Sequence, residues 1–553
     1  MNTFSAKNRA SVINEMSSSH FDLIVIGGGI TGAGIALDAT ARGLKVALVE
    51  MQDFAAGTSS RSTKLIHGGL RYLKQLEFKL VAEVGKERAI VHKNAPHLTK
   101  PEYLLLPIIT DGSLTKFTAR LGMTIYEWLA GVKKQEKHRV LNKMQTMAAE
   151  PLLRSDNLLG GILFYEYRTD DARLTIEVLK EAVSRGALAI NYMKAESFIY
   201  SDAKITGLKI SDQLHDQTVE LKANYIVNAT GPWIDEVDII DKPQNQDKLH
   251  ITKGIHIVVD GNRLPLKQSS YFDTFDKRMI FIIPREGKTY IGTTDTSYSG
   301  DLINPNVTIE DVTYLLKCVN AVFPTVQLVN SDIKSSWAGL RPLIQKPGKG
   351  PSEISRKDEI FESESGLITI AGGKLTGYRK MAQRIVDLIA KKNKGVNAKN
   401  IKDCSTHNII LSGGNMLKES FPNLLIRAQA TGITEIEVEM LLNRYGSNID
   451  SVLSMMEKLK ETSSNINREG EEMQIPLLLI AQLHYCIENE MCFSPSDFFI
   501  RRTGALYFDI ETVILWEKQI VLYMKNILNW NEQLTSKFCA DLTLAIKKAA
   551  IAE

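Results

Sequence analysis

The sequence predicts an α/β protein, with a parallel-sheet domain interleaved with a β-rich domain and a helical C-terminal domain after both. Strand-like apolar runs at residues 23–26, 225–229 and 366–371 each lead into a turn that contains glycine. A hairpin pattern at residues 279–292 lies between the second and third runs. From about residue 412 helical periodicity replaces these signals. Together the three patterns indicate two interleaved domains and a separate third one.

The first run carries a dinucleotide-binding signature. Gly27, Gly29 and Gly32 fit G-x-G-x-x-G directly after it, residues 35–40 have helical character, and a second strand-like run covers residues 45–49. In such a motif the glycines let the backbone approach a pyrophosphate, and the helix N-terminus presents free N–H groups to it. Strand, turn, helix and strand in this order therefore predict a Rossmann-type domain.

Glu50 closes the second strand about 20 residues after the glycines, where the fold places a carboxylate on the ribose hydroxyls. A glutamate rather than an arginine argues against a 2′-phosphate on the nucleotide. The residues by themselves leave two cofactors open, FAD and NAD. Five of the six residues 58–63 carry hydroxyl groups, which suits a loop along a polar cofactor chain. The alternative is a serine-rich surface loop, and the position directly after Glu50 favours the former.

The bulk properties exclude several classes. The 553 residues are enough for two or three domains, and 44% hydrophobic with 24% charged residues is ordinary for a globular protein. A formal net charge of +3 gives no support to nucleic-acid binding. The five cysteines have no C-x-x-C spacing, so neither a disulfide framework nor a zinc site is indicated. We expect no signal peptide and no spanning helix, and hence a cytoplasmic protein.

The domain division follows from these elements. The cofactor domain is predicted at residues 20–90, 150–240 and 355–392, the β-rich substrate domain at 91–149 and 241–354, the linker at 393–411 and the helical domain at 412–553.

Several blocks of the chain match a known family. The sequence resembles the FAD-dependent glycerol-3-phosphate dehydrogenases, which belong to the glycine-oxidase-like (DAO) flavoproteins, and the resemblance spans essentially the whole chain. Two blocks are typical of that family, Ile-His-Gly-Gly-Leu-Arg-Tyr at 66–72 and Gly-Gly-Lys-Leu-Thr at 372–376. The other matching blocks are residues 27–34, 57–73, 227–233, 253–259, 291–296, 339–343, 354–356, 372–380 and 497–503.

The resemblance implies noncovalent FAD, with Glu50 on the ribose and Ser59, Ser60 and Lys64 along the cofactor. It implies oxidation of sn-glycerol 3-phosphate to dihydroxyacetone phosphate in glycerol catabolism, with the C2 hydrogen leaving as hydride to flavin N5. The electrons would pass to a membrane quinone. We further expect a homodimer that is cytoplasmic or peripheral on the inner face of the membrane.

A phosphate dianion favours a cationic and preferably forked partner, so arginines beside the cofactor segments are the natural candidates. By resemblance Arg356 and Lys374 lie nearest the phosphate, Arg71 and Tyr72 form the pocket wall, and Arg341 meets the C2 oxygen. For any one of these arginines the alternative is an ordinary surface ion pair. All four cations lie inside matching motifs, which favours a joint role in substrate binding.

The C2 hydroxyl proton needs a base near neutral pH. Arginine, with a pKa above about 12, is a poor one, so we prefer His67 or His256 with Arg341 as electrostatic partner. Gly372, Gly373 and Thr376 form a turn before a helix. The helix N-terminus can direct its positive end at the flavin N1/C2=O position, although a simple strand-to-helix turn is the alternative.

Four questions stay open from the sequence. Residues 514–530 carry Trp516, Tyr523 and Trp530 among apolar and lysine residues and could lie at a membrane interface, although such helices usually pack on neighbours. The acceptor could be oxygen, as in a glycerol-3-phosphate oxidase, although those relatives usually carry an insertion that is not evident here. A flavoenzyme that acts on 2-hydroxy acids or amino acids would also fit the fold, as would a non-catalytic flavin sensor. The C-terminal domain could dimerise or cap the site.

Overall fold

Two β-sheets and a C-terminal set of helices make up the fold. The computed structural model describes residues 3–67, 77–132, 136–242, 248–345, 357–394, 400–416, 421–464 and 475–550. The strands are β1 His20–Ile26, β2 Val46–Val49, β3 Leu65–Ile66, β4 Thr99–Ile109, β5 Arg139–Asn142, β6 Leu158–Thr169, β7 Leu188–Ile190, β8 Met193–Ser201, β9 Lys204–Asp212, β10 Thr218–Asn228, β11 Leu249–Asp260, β12 Ser269–Asp273, β13 Met279–Arg285, β14 Lys288–Gly292, β15 Thr296–Ser297, β16 Ile333–Ile344, β17 Glu359–Glu362 and β18 Ile368–Ala371.

Helices connect and cover these strands. They are α1 Arg9–Ser18, α2 Ile30–Ala41, α3 Phe78–Asn94, α4 Lys116–Ala130, α5 Lys143–Ala149, α6 Asp171–Ser184, α7 Ile234–Asp241, α8 Ile309–Val322, α9 Tyr378–Asn393, α10 Phe421–Thr431, α11 Glu435–Tyr445, α12 Ile449–Ser464, α13 Leu477–Asn489, α14 Ala505–Phe508, α15 Ile510–Leu528 and α16 Glu532–Ala549. Short 3₁₀ helices cover Ala6–Asn8, Thr58–Ser60, Gly231–Trp233, Asn330–Asp332, Leu375–Gly377, Thr406–Asn408 and Gly446–Asn448, and a π-helix covers Asp497–Arg502.

The first sheet is built around a parallel core in the order β18-β10-β1-β2-β7. β17 adds to it antiparallel, and β8 and β9 extend it from the first half of β10. α2 packs against both α6 and α9, which fixes the helix after the glycine turn on the sheet. Since the core strands are parallel, Gly27, Glu50, Ala229 and Gly372 emerge at the same carboxyl edge. This edge is where a dinucleotide fold binds its ligand.

The second sheet follows the order β15-β11-β14-β13-β12-β4-β6-β3, with β16 also on β11 and β5 on β6. The predicted hairpin is confirmed, since β13 and β14 pair antiparallel around the turn at Glu286 and Gly287. β6 pairs along its length with β4, so residues 158–169 belong to the second sheet and not to the cofactor domain where the predicted division put them. The long antiparallel pairing with β4 places these residues in the second sheet, although the segments that follow them in the sequence belong to the first sheet. The predicted α/β fold class is confirmed.

Helices α10–α16 form the C-terminal domain, and their core is continuous with residues of the second sheet, among them Val258, Tyr290 and Trp337. The predicted capping box of α11 is confirmed, with the Thr434 side chain and Glu437 satisfying one another's backbone N–H groups. Trp516 and Trp530 lie in this core with exposures of 6% and 5%, so they are not available as membrane anchors. Among the described residues, no helix has the length and apolar character that crossing a bilayer requires.

Candidate active site

A cavity of about 1180 Å³ lies where the carboxyl edge of the first sheet meets the second sheet. Gly27, Glu50, Thr230 and Gly372 line it from the first sheet, and His256 lines it from the second. The volume exceeds the roughly 300–1,000 Å³ typical of sites for drug-sized ligands. It therefore suits a long dinucleotide together with a small substrate.

The glycine turn has the geometry that the motif predicts. Gly27 and Gly29 line the cavity, whereas Gly32 faces the strand: a Cβ added there would overlap the carbonyl oxygen of Gly27. Gly32 thus allows α2 to pack closely on β1, and the first two glycines leave room for a ligand. The N-terminus of α2 then points at the cavity, as a pyrophosphate site requires.

Polar partners hold the predicted ribose and pyrophosphate residues in place. The Glu50 carboxylate accepts from the backbone N–H groups of Gly28 at 2.7 Å and Gln52 at 2.8 Å. Burial raises the pKa of this carboxyl, and the same two N–H groups oppose the shift. Ser59 Oγ accepts from Ile30 N at 3.0 Å, at the start of α2. Both side chains line the cavity, so their arrangement fits a dinucleotide.

Lys64 and Ser60 differ from the prediction. The Lys64 ammonium pairs with the fully buried Asp171 carboxylate and donates to the Ser60 carbonyl at 3.1 Å. Neither residue is among the cavity-lining residues of the described chain. A buried carboxylate needs a cation or hydrogen bonds, and Asp171 takes Lys64 for this purpose. Lys64 therefore stabilises the loop through Asp171 and does not line the cavity.

The second glycine turn also lines the cavity, through Gly372, Gly373, Lys374 and Thr376. A 3₁₀ turn, Leu375–Gly377, separates the glycines from α9. Thr376 Oγ1 donates to the carbonyl of His67 at 3.2 Å, which ties this turn to the end of β3. The prediction that a helix N-terminus here faces the flavin stays a prediction.

Arg341 lies on β16 and lines the cavity. Its guanidinium donates to Thr293 Oγ1 at 3.0 Å and to the Thr294 carbonyl at 3.1 Å, and it contacts Asp295 Oδ1 at 3.2 Å. A Cβ on Gly254, in the facing strand β11, would overlap the guanidinium. Arg341 is thus fixed in position by these hydrogen bonds and by its ion pair with Asp295.

His256 is buried beside Arg341. Its ring stacks on Trp337 with centroids 4.7 Å apart, and its Nε2 lies 3.0 Å from Thr63 Oγ1. Nδ1 is buried without a hydrogen-bond partner among the described residues. Burial, and then the positive charges of Arg341 and Lys64, lower the pKa of His256 well below its usual value. The imidazole is therefore neutral at physiological pH.

The remaining predicted residues divide into two groups. His67 lines the cavity and meets Phe281 edge-on at 5.9 Å between centroids, and Lys374 lines it from the second glycine turn. Arg71, Tyr72 and Arg356 fall outside the described residues.

Sequence reasoning missed two parts of the site. Thr293, Thr294 and Asp295, which hold Arg341, lie in a block that matched the family without a role being assigned. The other is an apolar end of the cavity, whose side chains come from distant strands and from α4 and could not be grouped by sequence. They include Leu104, Leu114, Leu121, Ile125, Phe164, Tyr271 and Phe281.

A dinucleotide fold that opens onto a second sheet bearing a fixed arginine and a buried histidine is typical of a nucleotide-dependent oxidoreductase. The model of the FAD-dependent oxidoreductase family (DAO) matches residues 22–379, and that of the C-terminal domain of alpha-glycerophosphate oxidase matches residues 404–535. FAD is therefore the cofactor, and the glycine turn, Glu50 and Ser59 are arranged to hold it.

Full-length relatives narrow the class. The aerobic glycerol-3-phosphate dehydrogenase of Bacillus subtilis (strain 168) is 50% identical over 99% of this chain and 98% of its own. That of Staphylococcus haemolyticus (strain JCSC1435) is 48% identical with the same coverage. The crystal structure of the Bacillus halodurans glycerol-3-phosphate dehydrogenase complexed with FAD has a TM-score of 0.83 at 46% identity and covers 99% of both chains. The chain belongs to the family of aerobic glycerol-3-phosphate dehydrogenases.

Proposed function

We propose that the chain oxidises sn-glycerol 3-phosphate to dihydroxyacetone phosphate and passes the electrons to a membrane quinone. The observation that carries this proposal is the joining of the dinucleotide turn, Arg341, Lys374 and two histidines around one cavity. FAD supplies the acceptor for the hydride that leaves C2. The hydroxyl proton leaves separately, so the chain's own residues must bind the phosphate, hold the C2 oxygen and take up the proton.

Each task has a candidate. Lys374 binds the phosphate from the second glycine turn, together with Arg356 by resemblance. Arg341 faces the C2 oxygen, where its donors stabilise negative charge as the proton leaves. Thr293 and Asp295 hold the guanidinium ready, so little reorganisation is needed during the reaction.

His256 is the better candidate for the base. It is neutral, it lies close enough to Arg341 for that charge to lower its pKa, and its Nδ1 has no partner in the described chain. His67 contacts Phe281 and is tied through its carbonyl to Thr376. A proton on His256 beside Arg341 is unfavourable in the free enzyme. The phosphate dianion of bound substrate would offset that repulsion.

The first test is flavin bleaching without oxygen. Glycerol 3-phosphate should bleach the absorbance of the wild-type holoenzyme near ~450 nm, as expected of a redox-active flavin. Lys374→Met should require at least about tenfold more substrate, because a charge-assisted hydrogen bond contributes about 1.5–3 kcal/mol. Glycerol, which lacks the phosphate, is the control: the concentration of glycerol needed to bleach the flavin should be the same for Lys374→Met and the wild type. If glycerol 3-phosphate leaves the wild type yellow, the proposed substrate is wrong.

An oxidase is the second candidate, because residues 404–535 match the C-terminal domain of alpha-glycerophosphate oxidase. The rate at which the bleached enzyme is reoxidised distinguishes oxygen from a quinone as the acceptor. Air should restore the colour slowly in a dehydrogenase and at catalytic rates in an oxidase, with release of peroxide. A soluble quinone should restore it rapidly in a dehydrogenase.

The apolar end of the cavity supports a lipid-borne acceptor. Thr118 and Leu121 of α4 both line the cavity and are exposed, so the cavity reaches the surface at this helix. The opposite face of α4 is buried through Ala119, Met123 and Tyr126. Asp276, Lys277 and Arg278 also line the cavity and are exposed, so the opening is mixed in polarity. Its apolar side along α4 suits a hydrophobic ring compound.

The outer face of α4 supports contact with a membrane. Phe117, Leu121 and Trp128 follow one another along it, and Phe117 and Trp128 are 76% and 80% exposed. Residues 116–143 contain seven Lys or Arg against two Glu, a formal charge of +5 in a chain whose total is +3. Glu127 contacts His138, and Glu136 accepts from Tyr167. An exposed apolar stripe among cations is typical of a helix that lies on anionic lipid.

Removing this stripe should release the protein from vesicles. Phe117→Ser with Trp128→Ser is expected to weaken binding to phosphatidylglycerol vesicles about tenfold or more, because each large side chain contributes about 1.5–3 kcal/mol when it leaves water. Co-sedimentation measures the effect. Ile426→Ser with Ile436→Ser removes two comparably exposed side chains from the C-terminal domain and is the matched control. Equal losses in both double variants would contradict the α4 surface, and flavin bleaching should be unchanged in either.

A further inference from the structure

The C-terminal domain contacts one wall of the FAD cavity. This wall is the segment between β2 and β3, residues 50–64, here called the cofactor loop. Residues 50, 51, 56–59 and 61–63 of it line the cavity. The other side of the loop meets residues 501–507 of the C-terminal domain at both of its ends, and neither contact involves the cavity itself.

The first contact is made by Asp53, three residues after Glu50. Asp53 is 1% exposed, and its carboxylate accepts from Arg502 Nη1 at 2.7 Å and Nη2 at 2.9 Å, and also from Arg501 Nε. Asn191 donates to the same carboxylate at 3.0 Å. Burial by itself would raise the pKa of the Asp53 carboxyl, but the charges of Arg502 and Arg501 outweigh burial and lower it. Asp53 is therefore an ionised carboxylate that joins the cofactor loop to the C-terminal domain through a bidentate pair with Arg502.

The second contact is made by Lys64 at the far end of the loop. Its ammonium lies 5.7 Å from the ring centroid of Trp337 and 6.0 Å from that of Tyr507, within the range of cation–π attraction. Tyr507 packs on Trp337 at 5.1 Å, and Trp337 stacks on His256. The C-terminal domain thus contacts the loop at Lys64, and through Trp337 it also supports His256, the candidate base.

The conformation of the loop requires such support. Ala55 and Lys64 have φ values of +62° and +56°, in the left-handed region that side chains other than glycine rarely adopt. Residues in this region persist where the surroundings hold them. Ala55 follows directly after the Asp53–Phe54 pair, and its N–H bonds the carbonyl of Gly28 in the pyrophosphate turn at 3.1 Å. A shift of Asp53 would therefore reach the glycine turn through two residues.

We propose that the C-terminal domain acts as a positioning element for FAD, with Asp53, Arg501 and Arg502 as positioning residues that hold the cofactor loop in its binding conformation. None of the three lines the cavity in the described chain; they fix Glu50, Ser59 and the glycine turn, which do. The proposal rests on FAD in this cavity and is independent of the substrate and of the electron acceptor. It gives the Arg501–Arg502 block a role in cofactor affinity.

The test replaces Asp53 by asparagine, which keeps the shape and removes the charge. Asp53→Asn is expected to bind FAD at least about tenfold more weakly. A hydrogen bond to a charged group contributes about 1.5–3 kcal/mol, and here its loss would displace Glu50, Ser59 and the glycine turn. FAD fluorescence, which is followed as FAD is titrated into the apoprotein, gives the dissociation constant without any substrate. Excess FAD should restore the bound-flavin spectrum, because the site is displaced and not destroyed.

Glu490→Gln is the matched control. Glu490 is also fully buried, and it joins the C-terminal domain to α6 by accepting from Arg173 at 2.6 and 2.8 Å. Its backbone carbonyl accepts from Arg502 at 2.8 Å, a bond that Glu490→Gln keeps, and its carboxylate lies 3.7 Å from Arg502 Nε. This variant should lose comparable thermal stability and keep wild-type FAD affinity. The proposal is overturned if Asp53→Asn binds FAD as tightly as the wild type, or if Glu490→Gln weakens FAD equally.

A milder variant covers the case in which Asp53→Asn does not fold. Arg501→Lys keeps the charge beside Asp53 and Asp497 but loses the second arm of the fork. It should fold and show an intermediate loss of FAD affinity. Unchanged affinity in Arg501→Lys, with reduced thermal stability, would assign the cluster to domain packing alone.

Discussion

Replacement of Arg341 by methionine is expected to lower kcat about 10²–10³-fold, with FAD still bound. This is the loss usually seen when one preorganised donor to a developing oxyanion is removed. Arg341 meets the requirement for preorganisation, because Thr293, Thr294 and Asp295 already hold the guanidinium. Methionine fills similar space without the charge, so the effect reports on electrostatics and not on a cavity.

The rate of anaerobic flavin bleaching measures this prediction, because it excludes the acceptor. Arg341→Lys is the informative companion: it keeps the charge but loses the forked geometry, and it should recover part of the rate. An increase in KM at constant kcat in Arg341→Met would contradict the assignment. It would show that Arg341 binds the phosphate and does not stabilise the C2 oxygen.

The first sheet was predictable because its signals are local. A buried strand, a glycine turn and a helix follow one another within residues 20–41, and β1 and α2 occur where the sequence places them. The hairpin of β13 and β14 is equally local. Residues 158–169 were assigned to the cofactor domain, whereas they form β6 of the second sheet, because the pairing of β6 with β4 is long-range and no local pattern reveals it.

The candidate site shows the same limit. The types of residue were predictable from motifs, and Glu50, Ser59, Arg341, His256 and Lys374 all line the cavity. The partners of these residues were not predictable. Lys64 pairs with Asp171, which is more than 100 residues away, and Arg341 pairs with Asp295 from the connection between β14 and β15. Since a partner decides whether a cation faces a ligand or a carboxylate, motif and role can diverge.

α4 illustrates a further limit. The spacing of Phe117, Leu121 and Trp128 along the helix is typical of a face that packs into a core, yet these side chains are exposed. The buried face of the helix consists instead of Ala119, Met123 and Tyr126. Conversely, Trp516 and Trp530, which the sequence suggested as candidates for membrane contact, are buried. Periodicity locates an apolar stripe, but it does not say what covers it.

Replacement of His256 by asparagine is expected to lower the rate of flavin bleaching about 10²–10⁴-fold, the usual contribution of a general base. His67→Asn is the matched control and should lose much less, because His67 meets Phe281 edge-on, whereas His256 is the histidine whose pKa the Arg341 charge lowers. Both variants keep a polar side chain of similar size. If His67→Asn is the slower variant, the roles of the two histidines are exchanged.

The pH dependence tests the same assignment without relying on the size of the loss. Burial and the charge of Arg341 lower the pKa of His256, so the base stays unprotonated as the pH falls past 6.5, the ordinary value for histidine. The acidic limb of kcat/KM in the wild type should therefore lie below pH 6.5. Removal of the Arg341 charge takes away one of the causes that lower the pKa, so in Arg341→Met the limb should move to higher pH. An acidic limb that stays in place in Arg341→Met and survives in His256→Asn would assign the base to another residue, because only a group that feels the Arg341 charge can respond to its removal.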